Sequence, residues 1–491
     1  MRNSTVETYA PPAAALTRTP RVLHWLVAAT FIVILNETIL VNALPTLMEA
    51  FAITERTAQW LSTAFMLTMA VVIPTTGWFL QRVTTRAAFG ASMSVFCLGT
   101  LVAAAAPTFG ILLAGRIIQA VGTAVMLPLL MTTLMTLVDE RHRGRVMGNV
   151  MLAISVAPAM GPAVSGLLLE LGSWRLVFIA VLPFAVAITG VGLRFLTNVG
   201  ETGGAPLDVL SVVLAALGFG VLVYGLSEIG APAPIVSPVF TIALGAFGVA
   251  AFVLRQRWLQ RGKGPLLDLR TLRHRTYALA LVLMAVGFMA MMGAMVLFPL
   301  YLQNVRDLSA LQAGMLMMPG GLAMGLLGPT VGKCFDRYGG RLLVIPGAIG
   351  VLGALIILTR VSLIMPMWVL LAAHIVVMVG LACVFTPVFT LGLSAVPREL
   401  YSHGSSLLAT LQQVAAAMGT AIVITVLAAR SATLTDSGMD AHDAAVGGYQ
   451  WAFGVGAVLG VLVVVVAVLM PNRPDGYHSE PSDTPRSQSA H

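Results

Sequence analysis

Apolar runs of about twenty residues recur fourteen times along this chain, and that recurrence constrains the fold more than any other feature. No water reaches the backbone inside a bilayer, so each run must be a helix that satisfies its own peptide groups. The runs fall near 22–44, 58–80, 88–106, 110–137, 145–169, 175–196, 207–227, 234–254, 276–302, 312–332, 341–359, 366–391, 405–428 and 448–470. Composition agrees: 58% of residues are hydrophobic, 10% are charged and mean hydropathy is +0.91, whereas an ordinary soluble domain is about a quarter charged. A soluble fold is excluded. The class expected is an all-α, multi-pass integral membrane protein with one membrane body and short connections.

A formal charge of +8 and a pI near 9.9 raise the question of nucleic acid, which the placement of the basic residues answers. With both termini cytoplasmic, inside segments carry 22 of the 28 Lys and Arg residues. The outside loops carry five (Arg56, Arg175, Arg306, Arg360 and Arg430), and Arg116 lies within a span. This is the positive-inside asymmetry of a cell-membrane protein, and no nucleic-acid partner is expected. Cys97, Cys334 and Cys383 lack metal-ligand spacing. The first twenty residues contain no short apolar core with a small-residue cleavage site, so the first span is expected to be retained.

The two halves resemble one another. Val156-Ala-Pro-Ala-Met-Gly-Pro162 matches Val414-Ala-Ala-Ala-Met-Gly-Thr420, and Gly77 to Arg86 corresponds to Gly332 to Arg341. The offsets of 258 and 255 residues both carry span n onto span n+8. Two six-helix bundles with two inserted helices give that spacing, and repeated halves place a substrate cavity at their interface. The expected layout is a cytoplasmic tail over 1–21, a bundle over 22–196, inserted helices over 207–254, a basic cytoplasmic linker over 255–275, a bundle over 276–470 and a disordered tail over 471–491.

After the tenth span, Gly332-Lys-Cys-Phe-Asp336-Arg337-Tyr-Gly339-Gly340-Arg341 resembles the cytoplasmic loop motif of the major facilitator superfamily. Across nearly its whole length the chain resembles the fourteen-helix drug:proton antiporter branch of that superfamily. The resemblance implies that glycine lets helices approach, an acid caps a neighbouring helix N-terminus and arginines bind carboxylates or lipid phosphates. The plainer reading is a generic basic loop. The first-half copy keeps Gly77, Arg82 and Arg86 but has Gln81 in place of the usual aspartate and Thr85 in place of a glycine.

The fifth span holds Gly148, Gly161, Pro162 and Gly166, resembling the motif that marks exporters, with Ala157 replacing one glycine. Such residues let backbones touch and permit a bend; ordinary small-residue packing is the alternative. The fourth span, with Gly115, Arg116, Gln119 and Gly122, resembles the proton-transfer motif, with Ala120 where glycine is usual. The first span reads Leu35-Asn36-Glu37-Thr38, resembling a motif that usually begins Leu-Asp-x-Thr, so the acid is displaced by one residue, about 100° around a helix.

At about 1.5 Å per residue, Glu37 lies about 10 Å and Arg116 about 9 Å below the outer ends of their spans. A buried charge needs a partner or water, and the two charges share a layer. Glu37 and Arg116 are the proton-coupling candidates, Glu37 carrying the proton; a structural ion pair or a wet vestibule are the plainer readings. His374 is a secondary titratable candidate against a packing histidine. Asn36, Thr38, Gln119, Asn149, Gln412 and Gln413 are substrate-cavity candidates. No phosphate loop, zinc cluster or nucleophile set is present in the sequence, so no enzyme activity, cofactor or metal is expected. The reading is a proton-driven, monomeric exporter whose partners are a drug-like small molecule, protons and the lipid bilayer. Export of an endogenous metabolite, a lipid precursor or a self-made antibiotic is the alternative, and a non-transporting membrane sensor is a third.

Overall fold

The computed structural model describes residues 21–199, 203, 206–229, 236–262 and 264–473, so the expected tails lie outside the described residues except at Arg21 and at 471–473. Fourteen helices in it are long and apolar enough to cross a bilayer. They are α1 (Arg21–Phe51), α2 (Glu55–Arg82), α3 (Thr85–Ala104), α4 (Phe109–Leu137), α5 (Arg143–Glu170), α6 (Leu176–Phe195) and α7 (Val209–Ser227). After these come α8 (Pro238–Leu259), α9 (Arg275–Asn304), α10 (Ala310–Tyr338), α11 (Arg341–Leu358), α12 (Met367–Ser394), α13 (Tyr401–Asp436) and α14 (Ala441–Leu469). The even number of crossings places Arg21 and Arg473 on the same face of the protein, the termini face.

Several helices outrun their apolar cores, because a helix leaving the hydrocarbon continues until a breaker or a cap stops it. α10 opens on a capping box, in which the Ser309 hydroxyl accepts from the Gln312 N–H at 3.2 Å and the Gln312 side chain accepts from the Ser309 N–H at 2.9 Å. It ends only at Gly339, whose φ of +86° suits a residue without a Cβ. The motif expected as a loop over 332–341 is therefore helical as far as Tyr338, and its first-half copy is helical as far as Arg82.

The internal repeat is visible in the packing. α1 packs on α5, α3 on α4, α2 on α4 and α3 on α6, and each contact recurs eight helices later as α9 on α13, α11 on α12, α10 on α12 and α11 on α14. Each bundle buries its apolar side chains in a shared core. The bundles meet along two seams, α5 with α10 and α2 with α13.

α7 and α8 form the insert. They cross closely: a Cβ on Gly218 would lie 2.7 Å from the Val249 nitrogen, and Gly248 faces Gly218 in return. α7 packs on both α2 and α13, so the insert spans one seam. Its regular winding is broken by a π-helical turn at Ala216–Gly220. The expected linker is largely structured: Arg255 to Leu259 belong to α8, and Leu266 and Leu267 are buried against Ala70, Phe219, Phe252 and Val414. The side-chain oxygen of Gln256 accepts from the N–H groups of Leu266 and Leu267 at 2.8 and 3.2 Å, satisfying two buried backbone donors.

Candidate functional site

The most unusual residue in the apolar interior is Arg116, 1% exposed on α4. One of its terminal nitrogens donates to Asn36 Oδ1 on α1 at 3.2 Å and to Gln119 Oε1 one turn along α4 at 2.9 Å. Gln119 in turn donates through Nε2 to the Thr100 hydroxyl on α3 at 2.8 Å. The guanidinium lies over the Phe65 ring of α2, with Cζ 4.1 Å from its centroid, where the π face favours a cation. Four helices thus hold one buried cation entirely through neutral groups. Arg116 Nε and Asn36 Nδ2 are buried donors without a hydrogen-bond partner among the described residues.

Glu37 follows Asn36 in the chain and is half-buried. Its carboxylate and Arg116 interact electrostatically, yet no salt bridge joins them within 4 Å among the described residues. The one-residue displacement read in the sequence therefore has a structural meaning. The usual acid position is occupied by an amide that grips Arg116, and the acid stands beside this grip. Thr38 donates back to Ile34 and Leu35 carbonyls at 3.2 and 3.0 Å. Gly161 of α5 sits against it, and a Cβ there would lie 2.7 Å from Thr38 Cβ. Gly161 consequently lets α5 press on the very turn that carries Glu37.

Toward the termini face the bundles are tied together. Asp336, at the end of α10, accepts from the N–H groups of Gly144 and Arg145 at the start of α5, both at 2.8 Å. Asp336 thus caps the start of α5 across the seam. Arg143 is buried beside it and donates to the Ser394 hydroxyl at 3.1 Å, the Tyr401 hydroxyl at 3.2 Å and the Met135 carbonyl at 3.0 Å. Along α5 and α10 the backbones touch: a Cβ on Gly328 would lie 2.6 Å from the Gly148 carbonyl oxygen, and one on Gly332 would overlap that of Gly144. At the other seam Thr76 donates to Ser406 at 3.1 Å, Ser406 to the Ile73 carbonyl at 2.6 Å, and Thr132 and Ser405 share a hydrogen bond of 2.8 Å. Gln81 occupies the mirror position of Asp336 but donates to the Glu399 carbonyl at 3.0 Å. One seam is locked by a charge on a helix end, the other by a neutral amide.

The remaining motif arginines act within single bundles. Arg341 donates to the Met470 carbonyl at 2.9 Å, and its N–H meets Asn472 at 3.1 Å. Arg86 repeats the latter contact with Asn198 at 3.3 Å. Arg82 lies over Trp78 and Arg337 over Tyr338. Gly77 packs on His403, whereas Gly166 has no atom within 4 Å of its Cβ position. Pro162 lies within α5. His374 is buried, shares a hydrogen bond of 3.2 Å with the Met317 carbonyl and stacks on Phe298 at 5.0 Å, as a packing histidine does. Gln413 continues the α13 face of Ser405 and Ala409, the face that meets α4, and Gln412 beside it is buried. Asn149 is not brought to this group; it is exposed, one turn from exposed Arg145. Reading the sequence missed Phe65, Thr100, Arg143 and Tyr401. Only Thr100 carried a signal, as a polar residue in an apolar run.

Residues 26–420 match the profile of the Major Facilitator Superfamily. The chain belongs to that superfamily. This major facilitator protein is 38% identical over 402 residues to the lincomycin resistance protein LmrB of Listeria monocytogenes, covering 82% of this chain and 85% of that one. It is 28% identical over 411 residues to the multidrug resistance protein B homolog of Mycobacterium tuberculosis, covering 82% and 75%. Its fold matches the human organic anion transporter MFSD10 with a TM-score of 0.64 at 16% identity, over 92% of this chain and 100% of that one. The protein is a multi-pass membrane transporter of the fourteen-helix type, not an enzyme.

Proposed function

We propose that this transporter exports small lipophilic or cationic drug-like molecules in exchange for protons, by alternating access, with both termini cytoplasmic. The observation that carries the coupling is the Arg116 grip: a buried guanidinium held by Asn36 and Gln119, with no carboxylate bound to it. Its charge is left to act on Glu37, so that proton and cationic substrate compete for one acid. The names of the resistance-protein relatives support a drug-like substrate, and 22 basic residues on the termini side support the orientation. In the proposed cycle protons enter from the outer face while the termini seams are shut. Each charge crossing 100 mV releases about 2.3 kcal/mol, which drives the exchange.

The test is drug-driven proton release from proteoliposomes. Wild type is expected to release protons when a lipophilic cation is added, and Glu37→Gln to bind the drug without release. Normal coupling in Glu37→Gln removes the carrier role from Glu37.

A further inference from the structure

One buried titratable group takes no part in the site above. His403, in the first turn of α13, is 3% exposed, and its Nδ1 has no hydrogen-bond partner among the described residues. It sits in the seam between the bundles. A Cβ on Gly77 of α2 would lie 2.8 Å from this nitrogen and 3.2 Å from His403 Cα, so the glycine leaves room for the ring and α2 closes over it. Every element around it is fixed by hydrogen bonds: Thr76 to Ser406, Gln81 to the Glu399 carbonyl, and Tyr277 of α9 to the Gly404 carbonyl at 2.7 Å.

The charged neighbours come from several elements. The segment after α8 contributes Asp268, 2% exposed. Its carboxylate receives Arg270 Nη2 at 2.5 Å, the Arg270 N–H at 2.9 Å and Gln260 Nε2 at 3.1 Å. Burial pushes the Asp268 carboxyl up, but the Arg270 hydrogen bonds and charge outweigh it and hold the group below its ordinary range. Arg270 is the second charge acting on the ring; the elements that meet there also carry Arg82 at the end of α2, Arg398 and Glu399 in the turn before α13, Tyr277 of α9, which donates to the Gly404 carbonyl, and Arg143, which donates to the Tyr401 hydroxyl.

We infer that His403 is a proton-binding site built into the seam of the termini face, and that occupying it opens that seam. A neutral imidazole packs against the α2 backbone at little cost. An imidazolium in the same place is a desolvated cation, and the buried carboxylate that acts on it, Asp268, already serves Arg270. Separating α2 from α13 admits water to the ring. By linkage, whatever opens the seam raises proton uptake there, and acid on the termini side holds the seam open. The segment over 264–274 gives the insert a purpose in this arrangement, since it brings the only buried carboxylate to the seam among the described residues.

The experiment is pulsed electron paramagnetic resonance on full-length protein in nanodiscs. The three native cysteines are replaced, and labels are placed at Arg86→Cys and Arg398→Cys, two exposed positions flanking the seam. Between pH 8 and pH 5 the long-distance population is expected to rise in the His403 protein. It should stay flat and closed in His403→Asn, and stay open at every pH in His403→Lys. Glu37→Gln should keep the rise, which separates this site from the coupling acid. Size-exclusion profiles and circular dichroism verify that each variant is folded. A pH response surviving in His403→Asn overturns the inference, as does a closed seam in folded His403→Lys at pH 8, or a response lost in Glu37→Gln.

Discussion

Arg116 shows how one residue combines insertion cost and use. A cation in the hydrocarbon costs up to about 2.5–3.5 kcal/mol even on lenient scales, and here an amide, a second amide and an aromatic face offset that cost without cancelling the charge. Arg116→Lys is expected to act as a loss, because an ammonium does not lie flat on Phe65 while reaching both amides. We expect at least about a tenfold fall in pH-driven transport, equal to about 1.4 kcal/mol, with normal membrane insertion, measured as initial rates in inverted vesicles. Asn36→Asp should pair with Arg116 directly and flatten the pH dependence of the same assay. Sequence alone put Arg116 and Glu37 in one layer, since depth follows from counting residues. It could not reveal that Asn36, not Glu37, faces the guanidinium, because that depends on the rotation of α1 against α4.

Between elements, the two seams use different chemistry at mirror positions. Asp336 caps α5 through both oxygens of its carboxyl, and Gln81 makes an amide bond before α13. Asp336→Asn is expected to weaken the closed seam by about 0.3–2 kcal/mol, the range for a charge at a helix N-terminus, shifting the labelled distances toward open. Gly148→Val is expected to do more. Its Cβ would overlap the Gly328 carbonyl oxygen, and overpacking of about 1–3 kcal/mol shifts a two-state balance about 5- to 150-fold. Trapping of α5 and α10 apart, with slowed export, would be measured by the same distances and by drug accumulation. The capping acid was legible through the resemblance of the 332–341 motif to the superfamily's loop motif. The helical nature of the motif was not, because apolar counting stops at the hydrocarbon edge while hydrogen bonding continues to Gly339.

Across the whole molecule the insert is the feature that breaks the two-fold likeness of the halves. Its helices are joined by Asp208 and Arg255, 2.9 Å apart, and hydrogen bonds from Arg255 hold the Asp208 carboxyl down at about 2. A depressed folded value means stabilisation present above the ordinary carboxylate value of about 3.9 and lost as pH falls toward 2. Melting temperature should therefore drop between pH 4 and pH 2 more steeply in wild type than in Asp208→Asn, as read by thermal unfolding in detergent. Helix count, order and repeat were legible in the sequence, since each run must cross. The docking of the insert on α2 and α13 was not, because its lipid-facing and protein-facing sides are equally apolar.

The π-helical turn of α7 carries one residue more than an α-helical turn needs. α7 touches both bundles, so when α2 and α13 part it must lengthen, rotate or let go. A spare residue that migrates along the helix lets it slide by one position while keeping its backbone hydrogen bonds paired, as a slip joint absorbs travel in a pipe. Deleting Leu217 restores regular winding on both sides, and the deletion should fold and insert yet turn over slowly. The insert would then be a spring with a set stroke, limiting how far the bundles rock.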